Sequence, residues 1–257
     1  MERNQRMRYE GSLLRLDESH RKLKDQTDIL FQTEEQLRRA DRLSALGELS
    51  AGMAHEIRNP LGSIKGAVEI LRDDYVPEDA KYEFIQILLK ETDRLNHIVQ
   101  EFLGFARPKQ PEFHQADLNA AIESVLALTA LEAKKTGVKI EKRLDPSIGF
   151  RNLDMNLLRQ AFLNLVLNAI QAMGNGGILS IESALRGDSI VVTIADTGKG
   201  ISEENRKKLF SPFFTTKKIG TGLCLAITYR IIENHRGTID VSSEPGKGTT
   251  FTVKLPV

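Results

Sequence analysis

His55 and Glu56 sit side by side in "HEIRNPL", with Asn59 one helical turn further on and Pro60 next to it. An imidazole beside a carboxylate is a nucleophile with a neighbour able to orient it and take its proton. Pro60 lacks an N–H and clashes with the carbonyl of Glu56, so it bends the helix next to the histidine. A proline inside a helix costs about 3 kcal/mol, which argues for a chemical purpose at this point. In the heptad register that places Ser50 and Ile57 at position a, His55 falls at f and faces solvent. A lone surface histidine would be inert, but this one stands in a cluster. A zinc-protease site needs a second histidine where Asn59 stands, so that reading fails. Arg58 and Lys65 share their helix with Glu48, Glu56 and Glu69, and read as a solvated face.

Downstream, "IADTGKGI" puts Asp196 at a strand end before a turn with Gly198 and Gly200. "IGTGL" places Gly220 and Gly222 at a helix start, where exposed N–H groups suit phosphate. "EPGKGTTF" carries Gly246, Gly248 and Thr249 between strands, and "NLVLNA" sets Asn164 and Asn168 on one helix face, as amide oxygens for a hard cation. A Walker phosphate loop is excluded, because Thr193 and Val241 occupy the positions where its first glycine belongs. Each signal alone is weak, and glycine pairs are usually turns. Their order and number are far more specific.

These residues need elements to position them. Tyr9, Leu16, Leu23, Leu30 and Leu37 recur every seven residues between polar core positions, which predicts a weak coiled-coil helix over 1–37. A solvated tail is the plainer alternative. A second register runs through Leu43, Leu46, Ser50, Met53, Ile57, Pro60, Ile64, Ala67 and Leu71. After "DDYVPEDA" a second helix follows, with Phe84, Leu88, Leu95, Ile98, Phe102 and Phe105. One such hairpin cannot enclose so much apolar surface, so two should form a four-helix bundle in a homodimer. This domain is expected over 38–107 and a proline-bounded linker over 108–111. From 112 to 257 helices and strands mix without strict alternation, predicting an α/β sandwich with helices on one face of a mixed sheet. The fold class is therefore α+β: a coiled-coil helix, a helical-hairpin bundle domain and the sandwich.

Composition narrows the function. The chain has 257 residues, 40% of them hydrophobic, and 36 basic against 35 acidic residues give a net charge of +1. No overall field favours nucleic acid or an anionic membrane. Its single cysteine, Cys224, permits neither an internal disulfide nor a thiolate metal cluster and fits a reducing compartment. No apolar run approaches the roughly 18 residues of a membrane span, so the chain is expected to be soluble and cytoplasmic. A missing upstream sensor or membrane region is compatible with this.

"HEIRNPL", "NLVLNA", "DTGKGI", "LFSPFFTTK", "GTGL" and "PGKGTTF" resemble, in order, the phosphoacceptor, N, G1, F, G2 and G3 boxes of two-component sensor histidine kinases. The match covers about residues 40 to 257. The resemblance implies a Bergerat ATP-binding fold, ATP and Mg²⁺ as ligands, autophosphorylation of His55, and transfer to an aspartate of a response regulator receiver domain. It implies that Asp196 accepts from the adenine amino group. Asn168 would hold Mg²⁺ with Asn164 nearby, and Gly198, Gly200, Gly220 and Gly222 would shape the pocket and a lid over 199–219. Thr249 in the last box would complete the nucleotide site, and Phe210, Phe213 and Phe214 would anchor the lid. Asn59 would place a water for regulator phosphatase activity. The family often has a lysine three residues after the second asparagine; here Gln171 stands there, leaving phosphate contacts to Lys217 or Lys218. A second departure is Cys224, where the family usually has glycine, so a thiol is expected near the phosphates. Two rivals are an ATPase of the same fold and a catalytically impaired nucleotide-binding scaffold. The ATPases carry a water-activating glutamate where this chain has Asn164. Transfer within one chain and transfer between chains are both open.

Overall fold

The computed structural model describes residues 57–72, 75–76, 79, 81–106, 110–217 and 220–257. The coiled-coil expectation for 1–37 and the pair His55 and Glu56 lie outside these residues.

Residues 57–72 form a helix, α1, and Tyr82–Ala106 form α2. Val68 packs with Ile85 and Leu89, while Lys65 Nζ reaches Asp93 Oδ1 at 2.8 Å. Moving back along α1 therefore moves forward along α2, which makes the pair antiparallel. The helices meet through Val68, Ile85 and Leu89, and Leu61 is buried as well. The heptad positions expected to form the seam lie elsewhere: Ile64 and Leu71 are each 49% exposed, Phe84 67% and Leu88 50%. The hairpin has two apolar faces because both helices are apolar over a wide arc, and the periodicity had identified the outer one.

The rest builds a sandwich. β1 (His114–Asp117) pairs antiparallel with β3 (Phe150–Leu153) as a separate two-stranded ribbon. Between them run α3 (Leu118–Lys135), β2 (Val138–Leu144) and a 3-10 turn, Pro146–Ile148. There follow α4 (Met155–Ala172), β4 (Gly177–Arg186), β5 (Ser189–Asp196), α5 (Glu203–Lys208), α6 (Cys224–Asn234), β6 (Thr238–Glu244) and β7 (Gly248–Pro256). The main sheet has the order β2-β4-β5-β7-β6, with β2 parallel to β4 and every other pair antiparallel.

Local chemistry sets these elements. The Asp117 and Asp154 side chains accept from the first free N–H groups of α3 and α4. In α4, Leu158, Ala161, Phe162, Leu165, Val166, Ala169 and Ile170 are buried at helical spacing. In β5, Ile190, Val192 and Ile194 alternate onto the same buried face. Each such side chain contributes about 1.5–3 kcal/mol on burial. The core also takes in Phe105, 2% exposed, from the last turn of α2, so the hairpin is docked on the sandwich.

Candidate functional site

A cavity of about 410 Å³ opens between α4, the 199–217 segment and the start of α6. Its deep end is set by β5. The alternation that buries Ile190, Val192 and Ile194 carries on to Asp196, so a carboxylate takes the next inward position. The backbone N–H of Gly198 donates to Asp196 Oδ1 at 2.8 Å, and the backbone N–H of Thr249, paired across from it on β7, donates as well. Burial nevertheless raises the Asp196 pKa above the usual carboxylate value, with these N–H bonds opposing the shift. The result is a buried acceptor aimed into a cavity.

Another part of the lining is a polar cluster. Lys217 Nζ donates to Asn168 Oδ1 at 2.6 Å and to Gln171 Oε1 at 2.5 Å. Desolvation at the cavity wall lowers the Lys217 pKa. The rim is formed by Gly220, Thr221, Gly222 and Cys224. Leu223, at the N-cap of α6, makes no side-chain capping bond, which leaves the first N–H groups of that helix without a side-chain cap. Gly222 has φ +70°, and a Cβ there would lie 2.5 Å from the Phe213 carbonyl carbon; glycine lets the backbone of Phe213 and Phe214 cross the helix start.

Of the residues expected at the nucleotide, Asn168, Asp196, Gly200, Lys217, Gly220, Gly222 and Thr249 line this one cavity. Gly198 lies just behind it, bonded to Asp196. Asn164 faces elsewhere: its amide donates to Cys224 O at 3.2 Å and Thr228 Oγ1 at 3.3 Å, tying α4 to α6. Of the three phenylalanines expected to anchor a lid, Phe214 lines the cavity and Phe210 packs against the core. Phe213 is 56% exposed and meets Phe105 edge to face at 6.2 Å. Asn59 is exposed on α1, and Ser63 Oγ donates to its backbone carbonyl at 3.2 Å.

Two participants were missed by sequence reasoning. Gln171 was noted only as a missing lysine, although it shares the face of Asn168. Glu101 of α2 had no signal, because its partners lie more than a hundred residues away: it accepts from Thr221 Oγ1 at 2.5 Å and from Cys224 Sγ at 2.8 Å. Arg230 of α6 adds to the docking by donating to Phe105 O at 2.8 Å.

Comparison with known proteins agrees with this geometry. Residues 45–111 match the His Kinase A (phospho-acceptor) domain, and residues 153–257 match the Histidine kinase-, DNA gyrase B-, and HSP90-like ATPase family. Signal transduction histidine-protein kinase AtoS of Escherichia coli (strain K12) is 42% identical over 88% of this chain and 37% of its own length. Full-length ShkA in complex with AMPPNP superposes with a TM-score of 0.71 at 27% identity, covering 81% of this chain and 45% of that one. Histidine kinase ThkA in complex with response regulator protein TrrA gives a TM-score of 0.62 at 33% identity, over 88% of this chain and 66% of that one. The chain spans half or less of the length of the curated relatives it matches. It belongs to the sensor histidine kinases of two-component systems.

Proposed function

We propose that this chain is the cytoplasmic kinase portion of a longer sensor, which phosphorylates itself on His55 from ATP and passes the phosphoryl group to an aspartate of a response regulator. In the first step an imidazole nitrogen attacks the γ-phosphorus, the bond to the β–γ bridging oxygen breaks with its electron pair leaving on ADP, and Glu56 takes the imidazole proton. In the second, an aspartate oxygen of the receiver domain displaces the histidine nitrogen. The carrying observation is that one cavity is lined both by a buried acceptor, Asp196, suited to an adenine amino group, and by amide oxygens that hold a cation.

Asn168 fits a metal ligand, because its amide oxygen already holds a cation, the Lys217 ammonium. Mg²⁺ there would neutralise phosphate charge. The uncapped start of α6 and Lys217 suit the phosphates themselves. Asn59, exposed near His55 in sequence, is assigned to placing water on the regulator's acyl phosphate. The uncovered stripe of Ile64, Leu71, Phe84 and Leu88 supports a second copy of the chain completing a four-helix bundle. ThkA solved with TrrA supports a receiver-domain partner. A water-activating base is missing from position 164, where the amide is turned toward α6, so hydrolysis is the weaker reading.

Incubation with radioactive ATP tests the proposal. Acid-labile, base-stable label should appear on the protein and vanish in His55→Ala. Persisting label in that variant, or nucleotide binding without any label, overturns it.

A further inference from the structure

Asn168 and Gln171 lie one turn apart on α4, and both direct an amide oxygen at one point, marked by Lys217 Nζ at 2.6 and 2.5 Å. We propose that Gln171 is a second protein ligand of the divalent cation, and that the Lys217 ammonium holds the metal's place until the nucleotide brings it. The inference rests on the assignment of Asn168 to the metal.

Amide oxygens are hard neutral donors, suited to Mg²⁺ or Mn²⁺ and to an ammonium alike. Two of them already reaching a single cation need only a small contraction to reach a smaller one. The metal and the ammonium are both positive and cannot share the position, so metal entry expels Lys217. Lys217 belongs to the 199–217 segment, where its backbone N–H donates to Thr215 Oγ1 at 3.1 Å. Its departure therefore couples metal occupancy to that segment. Neutral donors also explain how the metal arrives. The phosphates of the nucleotide would supply the negative charge that two neutral amides lack.

The quantity to measure is the ratio of ADP affinities with saturating Mg²⁺ and with chelator, read by a fluorescent ADP analogue and therefore independent of turnover. Gln171→Ala should lower this ratio by about tenfold, the lower end for loss of a group supporting a metal, and Gln171→Glu should raise it. Lys217→Met should also raise it, because the competitor is gone. The opposite signs matter: both Gln171→Ala and Lys217→Met break the same bond, so a merely structural role for Gln171 moves the ratio alike in the two. That outcome overturns the proposal, as does an unchanged ratio in Gln171→Ala. If Asn168→Ala collapses the ratio while Gln171→Ala does not, Gln171 falls and the metal assignment stands. If neither changes it, the assignment of Asn168 falls too.

Discussion

The Cys224 thiol, on the first residue of α6, donates a 2.8 Å hydrogen bond to Glu101 Oε1 of α2. Thr221 Oγ1 donates to the other oxygen of that carboxylate at 2.5 Å. A hairpin carboxylate thus bonds two residues that line the cavity, and the side chain that departs from the family's glycine both lines the cavity and ties it to the hairpin.

Burial, reinforced by the hydrogen bond and the charge of Glu101, pushes the Cys224 thiol up to about 12 from 9.0. A raised pKa means that the fold favours the protonated form. Its contribution to stability is complete below the unfolded value near 9.0 and is lost as pH rises toward 12. Alkylation of the native protein by iodoacetamide should keep accelerating well above pH 9, where an ordinary thiol has levelled off. Glu101→Gln should bring the inflection down. A plateau near pH 9 in the unsubstituted protein contradicts this.

Asp196 carries an electrostatic cost. Its raised pKa, caused chiefly by burial, means the ionised form is disfavoured by the fold, so its unfavourable effect on stability at neutral pH is relieved as pH falls through the folded value. Asp196→Asn should weaken ADP binding by tenfold or more, as loss of a charged hydrogen-bond acceptor of about 1.5–3 kcal/mol implies. Thermal stability at neutral pH should hold or rise. A fall in melting temperature together with retained binding would refute the assignment of Asp196 to the base.

Gly248 opens β7 with φ +96°, and a Cβ would lie 1.9 Å from the Asp196 carbonyl oxygen. Gly248→Ala must therefore shift the strand end that carries Asp196 and Thr249. A loss of about 1–3 kcal/mol is expected for the strained backbone, measured by urea unfolding, with weaker ADP binding alongside. Unaltered unfolding would show that the turn adapts freely.

The sandwich was legible because its signals are local: alternation in β5, helical spacing in α4, and glycines at turns. The β1–β3 ribbon was not, since "HQAD" and "FRNL" are too short to show a period and form only by pairing with each other. The cavity residues were found through their boxes. Their pairings were not, because Lys217 meets Asn168 across 49 residues and Cys224 meets Glu101 across 123. In the hairpin, periodicity detected apolar faces but not which face meets which. Within one hairpin Leu61 and Ile85 are buried while Ile64 and Leu88 are exposed, so the register found the positions left over for a contact between copies.

That distinction is testable. Ile64→Glu with Leu88→Glu should place charges on the uncovered stripe and give a monomer by sedimentation, with far-ultraviolet helicity and ADP binding kept. Val68→Glu, on the inner face at 6% exposure, should instead melt the hairpin. If the double variant still sediments as a dimer, the outer stripe is not the contact between copies.

The hairpin and the sandwich are also joined through Arg230. Its guanidinium donates to Phe105 O at 2.8 Å and lies 5.0 Å over the Phe105 ring, which meets Phe213 of the 199–217 segment edge to face. The end of α2 offers its last carbonyls without helical partners, and a cation there satisfies one of them and opposes the helix dipole. Apolar burial of Phe105 alone would hold the helix end in place but would not fix its orientation. The guanidinium fork does that, since stacking and donation together demand one geometry. Arg230→Ala should remove about 1.5–3 kcal/mol of charged hydrogen bonding and about 0.5–1 kcal/mol of cation–π attraction. Amide exchange over 102–106 should then accelerate by at least tenfold, while β4 and β5 keep their protection. Arg230→Lys, which retains charge but loses the planar fork, should fall between the two. Equal exchange in all three proteins would mean that Phe105 packing alone carries the docking.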